Sequence, residues 1–299
     1  MISGYGLENE ILVYANLNKF FPILTGYDHG WAMREFNAIS STKRNSSKFH
    51  LVWNKRMQDG IKKNITTKIP IISSCPYKLY KERKNIKSLK NKSSIFFFSH
   101  STQKISLEQS TEEIINSFKN LPNELIPKDI CLHWHDYSNK KLVNFLENEN
   151  FKVFCAGNIY KKNFIKNFYQ ILINYNNCIS NQLGTYTLLS IDLGIPFTLI
   201  NPEPIYNNFG GDRNVPLKYK ISDFTFGKKA RELFLNKYSI DNNQLDLVKN
   251  ELGYFDKENS EQIKKILTLE LKSSLKNLQF NKTTKYYFKK IFELYNLTK

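Results

Sequence analysis

Three short segments, each behind a run of apolar residues, gather most of the side chains in this chain that can do chemistry. Ser180-Asn181-Gln182-Leu183-Gly184-Thr185 follows Asn177-Cys178-Ile179 and opens a stretch with helical spacing. Hydroxyls, amides and a glycine at a helix N-terminus make an anion site, because free N–H groups and the positive end of the helix dipole face one point. The alternative is that Ser180 merely caps the helix. Gly26-Tyr27-Asp28-His29-Gly30-Trp31 sets a carboxylate beside an imidazole, two groups suited to moving protons. The alternative there is a turn capped by Asp28, with Gly30 in a left-handed conformation. In His133-Trp134-His135-Asp136, strand alternation would put both histidines on one face, as a metal pair requires. No further ligand stands at a recognisable spacing, so no bound metal is expected. His135 or Asp136 is placed at the mouth of a cleft, and His133 in the core.

Such segments need strands to present them. From Ser93 to Asn201 the pattern predicts strands at 93–99, 129–135, 151–157, 177–180 and 196–201, separated by helices at 107–121, 139–150, 161–175 and 182–194. That alternation implies right-handed crossovers and a parallel sheet, hence a Rossmann-like domain. The first 77 residues read as a smaller unit, with helices at 7–20 and 55–64 and strands at 22–28, 48–54 and 69–74. The expected fold is α/β, two Rossmann-like domains facing a cleft. An abbreviated domain over 1–77 is followed by a basic linker over 78–92, the larger domain over 93–217, and a basic helical region over 218–299. Ligands of such sheets bind beyond the carboxyl ends of the strands, where these segments fall. The Pro- and Gly-rich stretch after 201, with Glu203 and Gly210-Gly211-Asp212-Arg213, reads as a loop over the cleft or a crossover to the C-terminal helices.

The chain has 299 residues, and 44 Lys+Arg against 27 Asp+Glu give a net charge of +17. With 41% hydrophobic residues it can build a packed core, which excludes global disorder. The charge admits nucleic acid, an anionic membrane or a phosphorylated substrate as partner. No zinc-finger spacing, RNP-type motif or basic groove-entering helix is present, so nucleic acid is not expected. The excess is concentrated in 78–92, with seven basic residues and one acid, and in 261–299, with nine Lys and three Glu. The first reads as a solvated basic helix in the linker. The second reads as amphipathic helices that lie on an anionic bilayer or pack on the protein with Lys outward. No apolar run reaches membrane-spanning length, and the opening residues lack a secretory pattern. The expected location is cytoplasmic, peripheral on the inner membrane face if those helices touch it. Cys75, Cys131, Cys155 and Cys178 sit in or beside apolar runs and read as buried thiols of a reducing compartment.

Ser180-Asn181-x-Leu183-Gly184-Thr185, followed by Asp192-Leu193-Gly194-Ile195-Pro196-Phe197, resembles the nucleotide-sugar-binding segment of GT-B-fold glycosyltransferases. The resemblance covers roughly residues 90–202 and, more loosely, 1–77 as an acceptor-side domain. Many UDP- and GDP-sugar enzymes of that fold carry a ribose-binding acid a few residues before the glycine; here the position is Leu189. The bacterial sialyl- and Kdo-type transferases, which use CMP-sugars, instead show serine-rich phosphate contacts at this helix and a histidine after the first strand of the second domain. Ser99-His100-Ser101-Thr102 occupies the latter place. The resemblance implies His100, Ser101, Ser180, Asn181, Gly184 and Thr185 as nucleotide and phosphate contacts, and Asp28 or His29 as the base that deprotonates an acceptor hydroxyl. His135, Asp136, Glu203 and Arg213 are further cleft contacts. The partners implied are a nucleotide-sugar donor and a surface-glycan or lipid-linked acceptor, with no metal cofactor. A UDP- or GDP-sugar transferase, a nucleotide-sugar epimerase and a non-catalytic sugar- or nucleotide-binding module are the alternatives.

Overall fold

The structure is a computed structural model that describes residues 6–33, 47–64, 68–101, 105–209, 216–255 and 258–277. Thr102, Arg213 and the basic stretch 278–299 lie outside the described residues. The architecture is α/β. A first sheet holds β1 (Gly26–Tyr27), β2 (Phe49–Val52) and β3 (Ile69–Ile72), all parallel and in that order. Around it lie α1 (Glu8–Tyr14), α2 (Lys55–Asn64) and α3 (Pro76–Lys84). The predicted helix at 7–20 is half that length, since the chain turns at Asn16 with φ 50, and the predicted strand at 22–28 pairs only over two residues.

Helix α3 starts on Pro76, where a missing N–H costs nothing, and ends at Asn85 in the left-handed conformation. Its first turns depart from the expectation of a solvated basic helix over 78–92: Tyr77, Lys78, Leu79 and Tyr80 are buried, whereas Glu82, Arg83, Lys84 and most residues from 85 to 92 are exposed. Lys78 is only 1% exposed, with Nζ 4.0 Å from the Tyr254 ring centre and 3.3 Å from Glu82. Arg83 forms a 2.7 Å ion pair with the buried Glu10. Part of the positive excess is therefore spent inside the fold.

The larger sheet is wholly parallel. It holds β4 (Lys92–Phe97), β6 (Asp129–Leu132), β7 (Lys152–Cys155), β8 (Tyr175–Ser180) and β9 (Phe197–Leu199), in the spatial order β7-β6-β4-β8-β9. Ile95, Phe96 and Phe97 of central β4 are all buried, as a strand covered on both faces requires. Sheet order reverses between β4 and β8, which opens a crevice at their carboxyl ends. The crossovers carry α4 (Thr111–Ser117), α6 (Lys140–Asn148), α7 (Phe164–Leu172) and α8 (Thr185–Asp192).

Three local differences from the sequence reading matter for the site. Strand β6 ends at Leu132, and Trp134–Tyr137 forms the short helix α5, so His133 and His135 do not alternate along a strand. The predicted helix at 107–121 starts only at Thr111, capped by Ser110, because Ile105–Glu108 is a strand, β5. The segment after 201, read as a loop, contributes β10 (Ile205–Asn208), which pairs antiparallel with β5 and with β11 (Lys218–Tyr219). Tyr206 and Tyr219 stack across that pairing with ring centres 5.0 Å apart.

After α9 (Thr225–Phe234) and α10 (Asn242–Glu251), α11 (Ser260–Asn277) returns to the first sheet. Its Ile263, Leu267 and Leu271 pack with Ile11 and Leu12 of α1 and Leu51 of β2. Glu270, 4% exposed, accepts hydrogen bonds from the backbone N–H groups of Lys48 at 3.1 Å and Phe49 at 3.2 Å. Ile263, Leu267 and Leu271 of α11 are thus covered by protein, while Leu269 is exposed. Among the described residues no helix is long and apolar enough to cross a membrane. All four cysteines are free thiols; Cys75, Cys131 and Cys178 are buried and Cys155 half-buried. Burial pushes the Cys75 and Cys131 thiols up to about 12.

Candidate functional site

The carboxyl ends of both parallel sheets meet at one cavity of about 360 Å³, a size typical of small-molecule sites. One bank is the chain leaving β1, from His29 to Met33. The opposite bank is built from His100 beyond β4, His133 and Trp134 beyond β6, and Gln182 to Tyr186 at the start of α8. Tyr206 and Tyr219, from the antiparallel sheet, also line it. The space is largely aromatic: Phe97 and Tyr186 stack at 4.9 Å with an 8° tilt, and Phe168 lies 5.7 Å from Phe97.

The first bank is held by bonds to both sides of the molecule. The backbone N–H of Trp31 donates to Thr185 Oγ1 at 3.1 Å, bridging the two sheets' loops directly. Its indole N–H donates to Glu251 at 2.8 Å. Glu251 is 4% exposed and also receives Arg56 through Nε at 2.8 Å and Nη2 at 2.5 Å. Arg56 donates in addition to the Ala32 carbonyl at 2.6 Å and lies 3.8 Å over the Phe226 ring. A buried carboxylate is stable only when its lone pairs are satisfied, and here Arg56, Trp31 and Asn54 satisfy them. Gly30 takes no left-handed φ, so the positive-φ reading of that glycine is corrected; a Cβ there would stand 3.8 Å from Thr185 Oγ1.

The second bank carries a histidine cluster. The His100 and His133 rings stack with centres 4.0 Å apart, and His133 lies 5.3 Å from His135. Burial, with the nearby His135, pushes His100 down to about 4. Burial, with His100 and His135, pushes His133 down to about 3. Both rings are therefore neutral near pH 7 and act as hydrogen-bonding groups. Burial pushes Asp136 up to about 6, against the opposing influence of His135. On the other bank burial holds His29 below its usual range, Asp28 pulls it back up and His50 adds to the lowering. Among the described residues no three His, Cys, Asp or Glu come together in a metal-holding arrangement.

The expected site residues separate into two groups. His29, His100, Gly184 and Thr185 line the cavity. Ser180 and Asn181 do not: both are fully buried, and their side chains are used internally. Ser180 Oγ donates to the Phe97 carbonyl at 2.7 Å, tying β8 to β4. Asn181 donates to Gln109 at 3.1 Å and to the Pro202 carbonyl at 3.2 Å. Ser101 Oγ accepts from the Leu107 N–H at 3.0 Å, fixing the start of β5. Glu203 receives Ser222 and stands 3.2 Å from Arg231, away from the cavity. Asp28, His135 and Asp136 lie behind the walls rather than on them. Gly184 leaves room for Tyr186, whose ring a Cβ there would meet at 2.7 Å. Gly194 adopts φ +72 and stops α8, so part of the Gly-Ile-Pro signal is a helix ending.

Sequence reasoning passed over several wall residues. His133, expected in the core, lines the cavity because the turn into α5 carries it past the sheet edge. Trp31, Glu251 and Arg56 had no local signal, since their meaning depends on a contact between residues 195 or more positions apart. Comparison with protein-family models, with curated proteins and with solved structures yields no match for this chain.

Proposed function

We propose that this chain is a glycosyltransferase of two Rossmann-like units, moving a sugar from a CMP-linked donor to a glycan or lipid-linked acceptor. The observation that supports the reading is the cavity at which the carboxyl ends of two parallel sheets converge, with the His29 imidazole on one bank and the N-terminus of α8 on the other. The donor phosphate lies against the N-terminal turn of α8, at the positive end of its dipole, with Thr185 and the neutral imidazole of His100 as hydrogen-bond partners. The acceptor hydroxyl approaches from the β1 bank. Its oxygen attacks the anomeric carbon, His29 takes its proton, and the bond from that carbon to the phosphate oxygen breaks as CMP leaves. His29 is favoured over Asp28 as base because it lines the cavity, whereas the Asp28 carboxylate is turned onto His50 at 3.2 Å. Buried Leu189 on the wall, where a ribose-binding acid would stand in the UDP- and GDP-sugar enzymes, supports the CMP donor.

Thermal unfolding against CMP, UDP and GDP tests this, since a ligand at a hundred times its Kd stabilises by about 2.7 kcal/mol. CMP raises the melting temperature, and His29→Ala or His100→Ala abolishes transfer from a CMP-sugar. Protection by UDP or GDP and not by CMP overturns the donor assignment, and unimpaired transfer in either variant removes that residue's role.

A further inference from the structure

Behind His29 lies a pair the chemistry above does not use. His50, in the middle of β2, is 1% exposed, between Phe49 and Leu51. A strand position buried this deeply suits Val or Ile, and an imidazole there forfeits hydration that only a hydrogen bond restores. His50 Nε2 stands 3.2 Å from Asp28 Oδ1, while Nδ1 has no partner among the described residues. The backbone of residue 28 is already fixed without that contact. Its N–H donates to the Leu51 carbonyl at 3.0 Å, and its carbonyl accepts the Trp53 indole N–H at 3.1 Å. What the imidazole adds is control of where the carboxylate points.

We propose that His50 is a positioning residue for the proton acceptor: by donating from Nε2 to Asp28 Oδ1, it holds the Asp28 carboxylate in the orientation from which it strengthens His29 as a base. The inference rests on the reading of His29 given above. Asp28 takes no proton; it offsets the burial that otherwise makes His29 a weaker base. Asp28 and His50 are the charged and titratable neighbours on His29's own sheet. Across the cavity it faces His100 and His133, Tyr77 of α3, Tyr186 of α8, and Tyr206 and Tyr219 of the antiparallel sheet.

Proton NMR titration of the ring signals reads this directly, and five histidines in the whole chain keep the spectrum assignable. Asp28→Asn lowers the His29 midpoint. His50→Leu removes two opposed influences, the hold on the Asp28 carboxylate and the lowering that His50 itself exerts on His29, so it is compared with His50→Gln, which removes only the second and whose amide nitrogen reaches Asp28 much as Nε2 does. The His29 midpoint lies lower in His50→Leu than in His50→Gln; equal midpoints in those two variants overturn the proposal, as does a midpoint unmoved by Asp28→Asn. A second measurement needs no variant and covers the case in which His50→Leu does not fold. Ring nitrogen shifts of wild-type His50 report the Nε2–H tautomer if the proposal holds, and the Nδ1–H tautomer overturns it. Transfer from a CMP-sugar, measured on the same proteins, separates the two readings. The titrations decide the role of His50. Absence of transfer in wild-type protein with its titrations as expected counts against the proposed function alone.

Discussion

Replacing Glu251 by Gln probes the brace that holds one bank of the cavity in place. The substitution keeps shape and removes a charge on which Arg56 and the Trp31 indole converge, at 2.5 to 2.8 Å. Removing one partner of a buried ion pair costs about 3–5 kcal/mol. The Arg56 side chain is 26% exposed against 5% for Glu251, so water recovers part of the loss and about 3 kcal/mol is expected. Unfolding entropy of about 2.1 cal/mol/K per residue gives roughly 0.6 kcal/mol/K for a chain of this length, so the melting temperature falls by roughly 5 °C. Differential scanning calorimetry measures the shift. Fluorescence supplies a second reading, because Trp31 and Trp134 line the cavity and the emission of a loosened Trp31 moves to the red. A fall below about 1 °C with unchanged emission would refute the idea that Glu251 anchors this bank.

Acidification tests the histidine cluster. His100 has a depressed folded-state pKa, so unfolding takes up a proton between about 4 and the ordinary histidine value. Stability rises with pH through that window and is level above it; His100→Gln makes the rise shallower in denaturation curves taken across it, and the likewise depressed His133 supplies what remains. Asp136, raised to about 6, acts in the opposite sense, losing its contribution as pH climbs through 6; Asp136→Asn therefore steepens the net rise. Gly184→Ala forces the Tyr186 ring to move and costs about 1–3 kcal/mol in urea unfolding, since the Cβ would sit 2.7 Å from that ring. Thr185→Val removes the acceptor of the Trp31 N–H and costs about 1–2 kcal/mol with little change in packed volume.

Much of the larger sheet was legible because each of its strands is a short apolar run and each crossover helix has a clear period. Ile95 to Phe97, buried on both sides, could hardly be anything else. The errors fall where a contact distant in sequence overrides a local pattern. Residues 107 and 108 look like the start of a helix and belong instead to a strand, 105–108, because Ile205–Asn208 pairs with it. Trp134 starts a helix two residues past Leu132, and that step turns His133 from core to wall. Ser180 and Asn181 have the chemistry of anion contacts, yet the pairing of β8 with β4 on one side and β9 on the other brings the Phe97 and Pro202 carbonyls to them first. The glycine of the Gly-Ile-Pro motif is accounted for by its φ of +72. His29, His100 and Thr185 stand on the cavity because each lies past the last paired residue of its strand, where nothing in the sheet competes for it.

The return of α11 to the first sheet bears on the order in which the protein can fold. Strand β2 is made well ahead of α11, yet the N–H groups of Lys48 and Phe49 find an acceptor in Glu270, and Leu51 is covered by Ile263, Leu267 and Leu271. During synthesis the early strands emerge with that face bare, while the five-stranded sheet, closed by β9 at Leu199, can assemble ahead of them. The first sheet, made ahead of the larger one, is thus the one that finishes last. Truncation before residue 260 should leave the larger sheet protected from hydrogen exchange and expose β1 to β3.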